Sequence, residues 1–161
     1  MYTISDSIHV DAPLDRCFLL STSIDLVAVT LRMKPMLGKT TGLVAPEDRI
    51  TWYGWKLGLP QRHETVITAY QRPYFFQDTM GRGRFQRFQH DHTLSEIAGH
   101  TLLQDKIRFS LPFGFLGSLF AKWIMVPYLA RILRRRLESL RLIAQSEQWQ
   151  NYLPAGTAEP A

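Results

Sequence analysis

The last long stretch of the sequence, Leu116 to Trp149, dictates what the rest of the chain must supply. Leu116, Phe120, Trp123, Leu129, Leu133, Leu137, Leu140 and Ala144 recur at mostly helical steps, which keep them on one side of a helix. Lys122, Arg131, Arg134, Arg135, Glu138 and Arg141 fall mainly on the other side. A helix with so broad an apolar stripe is stable only against a large apolar surface. Nearly everything between Arg49 and Pro112 has the composition and alternation of strands, so that surface is predicted to be a sheet. Pro127 removes one backbone hydrogen bond and is predicted to kink the helix. The stripe also places Trp123 indoors, where its loss would cost about 3–5 kcal/mol.

Read in order, Tyr2, Ile4, Ile8 and Val10 alternate with polar residues and predict a first strand. Asp11-Ala12-Pro13 opens a short helix with Leu14, Cys17 and Phe18 on its buried edge. Ser21-Thr22-Ser23 ends it and caps a second short helix through Ile24–Val27. A short strand is predicted near Thr40–Val44 and a turn at Gly58-Leu59-Pro60. Strands follow at Ile50–Trp55, His63–Arg72, Tyr74–Met80, Arg84–Leu94 and Thr101–Leu111, with turns at Arg72-Pro73, Gly81-Arg82-Gly83 and Ala98-Gly99. Short turns between closely spaced strands favour antiparallel pairing, and a sheet with one face covered by a helix is an α+β arrangement. The predicted architecture is a bent antiparallel sheet of six to seven strands wrapped around a long C-terminal helix, with two short helices after the first strand. Residues 1–152 form one domain in this reading, and 153–161 a disordered tail.

Charge narrows the partners. The net charge of +5 favours anionic partners in general, but much of the excess sits in Arg131–Arg141, which reads first as a solvated helix face. No nucleic-acid partner is expected; weak contact between that face and an anionic membrane is. Phe109 to Ala130 contains one charge, Lys122, and is long enough to cross a bilayer. Pro112, Gly114, Gly117 and Pro127 interrupt it, which argues against a true span. The single cysteine, Cys17, and the polar opening of the chain fit a reducing, cytoplasmic setting.

Parity along the strands selects the polar residues that face inward. Leu103, Asp105, Ile107, Phe109 and Leu111 share one face; so do Phe88, His90, His92 and Leu94, and so do Tyr74, Phe76, Asp78 and Met80. Asp78, His90, His92 and Asp105 therefore stand among apolar neighbours on three consecutive strands. Buried carboxylates and imidazoles must pair, and such clusters shift proton affinities. The cluster reads either as a hydrogen-bonded knot that fixes strand register, as a device that orients a ligand, or as a proton-transfer site. His-x-His points both rings one way, but no cysteine pair or HExxH motif accompanies it, and neither a metal nor another cofactor is expected. Trp52, Tyr53, Trp55 and Trp123 fit a core or the wall of a hollow. No GxSxG elbow is present.

Phe76-x-Asp78, Gly83-x-Phe85-x-x-Phe88-x-His90-x-His92, Thr101-x-x-x-Asp105 and Leu111-Pro112-x-Gly114-x-x-Gly117 together resemble the SRPBCC proteins. These are relatives of START lipid-binding domains and of polyketide cyclase/dehydrase-like proteins. Ile8-x-Val10-x-Ala12-Pro13-Leu14-x-x-x-Phe18 is similar to the start of that family, so the likeness runs from Tyr2 to about Trp149. The resemblance implies a helix-grip fold around an apolar cavity and a small hydrophobic ligand such as a lipid, quinone or polyketide. It carries over no catalytic residue. Expected ligand contacts are Trp52, Phe76, Asp78, Phe88, His90, His92, Asp105, Ile107, Phe109 and Trp123. The alternatives are a cyclase/aromatase- or hydrolase-type enzyme using His90 or His92 with Asp78 or Asp105, and a lipid or quinone chaperone working at a membrane surface through Arg131–Arg141.

Overall fold

The computed structural model describes residues 1–154. Alternating burial along Tyr2–Val10 makes β1 a half-buried strand. Helices α1 (Leu14–Thr22) and α2 (Ile24–Leu31) follow, and the Ser23 hydroxyl between them caps α2 by accepting from the Leu26 N–H at 3.4 Å. Six more strands come next: β2 (Met33–Gly38), β3 (Arg49–Lys56), β4 (Leu59–Gln71), β5 (Phe75–Arg82), β6 (Arg87–Ile97) and β7 (His100–Ser110). They form one antiparallel sheet in the order β1-β7-β6-β5-β4-β3-β2, so every pairing joins sequence neighbours except that of β1 with β7. A helix from Gly114 to Ala144 then lies in the grip of the sheet. It comprises α3 (Gly114–Phe120), a π-helical turn (Ala121–Met125) and α4 (Val126–Ala144). The helix-grip α+β arrangement expected from the sequence is the one observed.

Three local expectations need correction. The strand placed near Thr40–Val44 forms earlier, at β2, and only Leu43 makes an isolated bridge, to Ser23. Leu59 and Pro60 do not turn; they open β4, where Pro60 pairs with Trp55, and the turn is made by Leu57 and Gly58, both at positive φ. The break in the long helix comes just ahead of Pro127 and takes the form of the π-helical turn, leaving Pro127 in the first turn of α4, where its missing N–H is tolerated.

The apolar stripe of that helix also differs from the expected one in its first third. The buried positions are Gly117, Ala121, Met125, Leu129, Leu133, Leu137, Leu140 and Ala144. The small residues lie inward because space there is short: a Cβ on Gly117 would stand 1.9 Å from the Pro112 carbonyl oxygen. The large neighbours Leu116 and Trp123 consequently face outward, Trp123 at 68% exposed, and Phe120 is left half-exposed. The burial that would have made Trp123 a structural anchor is absent.

The core has three parts. One packs α1 on β1, β6, β7 and the end of α4; Leu153 joins it, and the remainder of the expected tail, 155–161, lies outside the described residues. A second gathers Ile4, Ile107 and Phe109 against Ala121–Leu133. A third joins Ile24 and Val44 to Ile50, Trp52 and Ile67. Space remains between them.

Candidate functional site

That space is a cavity of about 420 Å³. Trp52 and Ile67 line it from β3 and β4, Phe76 and Phe88 from β5 and β6, Ile107 from β7, and Leu133 from α4. The volume and the apolar walls suit a small organic molecule. Leu57, Leu59 and Phe120 line the cavity and are also exposed to solvent, so its mouth opens between the β3–β4 turn and α3.

Asp78, His90 and His92 gather at one place in the wall because β5, β6 and β7 are in register there. Asp78 pairs with His90, and His92 with Asp105, across adjacent strands. His92 is the hub. Its Nδ1–H donates to Asp105 Oδ1 at 2.8 Å and its Nε2–H to Asp78 Oδ2 at 3.1 Å. Phe76 stacks on its ring at a centroid distance of 4.0 Å. Arg136 Nη1 donates to Asp105 Oδ2 at 2.7 Å, and Arg136 Nη2 to the Ser21 carbonyl oxygen at 3.2 Å, which ties α4 to both the sheet and α1. The ring of His90 lies 3.8 Å from that of His92. Its Nδ1 is 3.7 Å from Asp78 Oδ2 and its Nε2 is 3.4 Å from Asp105 Oδ2, and Nε2 is buried without a hydrogen bond among the described residues.

These contacts separate the two histidines. Burial opposes charge on His92, but the carboxylates of Asp105 and Asp78 outweigh it and raise the imidazole's pKa. Burial and the neighbouring His92 charge lower that of His90. Burial works against the ionised carboxyls as well, yet His92 and Arg136 hold Asp105 well below the usual carboxylate range, and His92 and His90 lower Asp78. Below the raised pKa of His92 the cluster comprises two carboxylates, one guanidinium, one imidazolium and one neutral imidazole, and its formal charge is zero. Ligand atoms of Asp78, His90 and His92 all lie within 4.8 Å of one another, close enough to share one cation. In the arrangement described, His92 and Arg136 already neutralise the carboxylates.

The signs fix a pH dependence. The raised pKa of His92 adds stability that is complete below the unfolded value of about 6.5 and is lost as pH rises through the folded one. The lowered pKa of His90 opposes folding only below about 6.5, and the two carboxylates weaken the fold only as pH falls below about 3.9. The urea midpoint is therefore expected to fall as pH rises beyond about 6.5, and His92→Gln should remove this slope. An unchanged slope in that variant would place the proton elsewhere.

Seven of the expected contacts line the cavity: Trp52, Phe76, Asp78, Phe88, His90, His92 and Ile107. Three do not. Trp123 faces outward because Ala121 and Met125 take the inward positions of its turn. Phe109 is fully buried between Tyr2 and Phe85, behind the residues that line the cavity. Asp105 is buried behind His92, in the grip of Arg136, and supports the wall without forming it. Arg136 and His63 are among the wall residues that the sequence pattern does not single out. Arg136 stands three residues after Leu133 and four before Leu140, so the inward stripe already marked it, but the surrounding run of arginines hid it. His63 shares strand parity with Ile67, lines the cavity and packs edge-on against Phe88, and burial lowers its pKa.

No family model and no curated protein sequence matches the chain. Solved structures do match in shape. A protein of Thermus thermophilus is 16% identical with a TM-score of 0.69, over 90% of this chain and 100% of its own. A START superfamily protein of Mycobacterium smegmatis is 15% identical with a TM-score of 0.57, over 86% and 98%. The ginseng major latex-like protein 151 of Panax ginseng is 10% identical with a TM-score of 0.61, over 88% and 97%. At these identities the likeness is one of fold.

Proposed function

We propose that this chain, which has the START-like helix-grip fold of the SRPBCC proteins, binds a small, largely apolar molecule in the cavity and orients it with Asp78, His90 and His92. The observation that carries the reading is a predominantly apolar lining in which Asp78, His90, His92 and Arg136 form one hydrogen-bonded, charge-paired cluster beside open volume. Hydrophobic burial supplies affinity, and a polar group placed against the cluster gains hydrogen bonds that the rest of the wall does not offer. A quinone, a polyketide or a lipid with a small headgroup has this division of character. A cytoplasmic setting belongs to the same reading and suits the Cys17 thiol, which burial pushes up to about 11.

Native mass spectrometry of protein purified without organic extraction is expected to show a bound molecule that competes with Nile red. His90→Gln should weaken that molecule roughly tenfold or more, because a buried polar partner loses its mate. Protein that carries no adduct and leaves Nile red as dim as in buffer would end the proposal.

A second reading rests on His90 alone. A neutral imidazole on the cavity wall, with Nδ1 3.7 Å from Asp78 and Nε2 buried beside Asp105, can take a proton from a bound substrate, as a cyclase or hydrolase requires. In that case His90→Gln removes turnover of the identified molecule and leaves its binding largely intact.

A further inference from the structure

The inward choice of small residues at Gly117 and Ala121 leaves an apolar surface outside. Phe113, Phe115, Leu116, Leu119, Trp123 and Ile124 are all exposed, Phe113 at 84% and Phe115 at 80%. Phe115, Leu116, Leu119 and Trp123 follow one another at steps that keep them on the outer face of the helix, opposite the buried Gly117 and Ala121, and Phe113 and Ile124 extend that face. By length and composition the whole helix Gly114–Ala144 could cross a membrane, yet only 28% of its most apolar stretch is buried in the protein. The sheet grips the other end, so the part free to meet hydrocarbon is the tip, beside the cavity mouth.

Charge around the mouth points the same way. The β3–β4 turn with its flanks (53–62), the β5–β6 connection (82–87) and the helix tip (113–125) each contribute to the cavity, and they carry two, three and one Lys or Arg and no Asp or Glu. The acidic residues of the chain lie outside these segments, although the chain has 14 of them. Lys122 sits 5.6 Å over the Trp123 ring, an aromatic–cation pair of the kind that suits the headgroup level of a bilayer. Arg84 lines the mouth and donates to the Pro60 carbonyl oxygen at 3.1 Å, which joins the β5–β6 connection to the start of β4.

We propose that this apolar lip inserts into the headgroup–acyl boundary of an anionic phospholipid bilayer, with the surrounding Lys and Arg on the phosphates and the cavity mouth against hydrocarbon. Burial of exposed aromatic side chains provides the attachment and the basic rim selects anionic lipid. The docking element is the lip; the arginines of α4 add long-range attraction. An apolar molecule could then pass between bilayer and cavity without crossing water. Docking does not require an occupied cavity, so it stands or falls separately from ligand binding.

Flotation of the full chain with vesicles tests it. Expected is flotation with mixed phosphatidylcholine–phosphatidylglycerol vesicles, weaker flotation with phosphatidylcholine alone, and a loss of about tenfold or more in the Phe115→Ser/Trp123→Ser double variant. Neither side chain lines the cavity and both are exposed, so the variant should keep the parent's unfolding transition and Nile red binding. The proposal is overturned if the parent stays in the lipid-free fraction with both vesicle types. It is overturned equally if the double variant floats as well as the parent, which would leave only the arginine face. A parent that elutes as a dimer, does not float, and becomes monomeric in the double variant would assign the lip to a second copy of the chain.

Discussion

Asp105→Asn is expected to lower the free energy of unfolding by about 3–5 kcal/mol, because it strands Arg136 and His92 without their common carboxylate. All three groups are buried, and removing one partner from such a set costs far more than the set contributes over an apolar equivalent. Arg136→Met should show a loss of similar size for the converse reason, leaving Asp105 with less neutralising charge. Asp105→Leu combined with Arg136→Met should recover part of it, since apolar residues of similar volume need no partners. Urea unfolding at neutral pH measures all of these, and the double-mutant cycle gives the coupling. A loss under about 1 kcal/mol for Asp105→Asn would show that water reaches the guanidinium and that the cluster is not closed.

Phe109→Ala should be comparably damaging, at about 3–5 kcal/mol, and for an unrelated reason. The ring stacks on Tyr2 at 5.7 Å and meets Phe85 edge-on at 5.6 Å, so its removal opens a void among β1, β7 and the helix. The ring itself does not line the cavity, so Nile red binding should survive in the folded fraction. A loss under about 1 kcal/mol would mean that the ring borders open space, as a ligand contact would.

The pair of predictions also marks where the sequence is readable. Parity along β5, β6 and β7 is enough to place Asp78, His90, His92 and Asp105 on one face, because side-chain direction alternates whatever the sheet curvature. It does not separate Phe109 from Ile107, since both point inward and only the path of the helix decides which meets the hollow. The helix itself is legible from Leu129 onward, where large apolar residues face the sheet. Before that point the rule that large means buried fails: Gly117 and Ala121 are inside for want of room, and the π-helical turn resets the phase ahead of Pro127. Arg136 is obscured by the opposite error, a charged residue assigned to solvent by its neighbours. The partner that justifies its burial, Asp105, lies on a different element, and single-element patterns do not report such pairings.

The sheet order has a consequence for how the chain reaches this state. Five of the six strand pairings close through local turns, while β1 must find β7, with Tyr2 opposite Phe109 and Val10 opposite Thr101. Of the seven strands, the first to be synthesised is thus the one whose partner is made last. At about 5–20 residues per second, Tyr2–Val10 waits on the order of 5–20 s with its Ile4, Ile8 and Val10 unpaired. The same holds for α1, whose buried face packs on β6, β7 and α4. The meander β2–β7 is able to form first, and the N-terminal strand then completes the sheet at the edge next to β7.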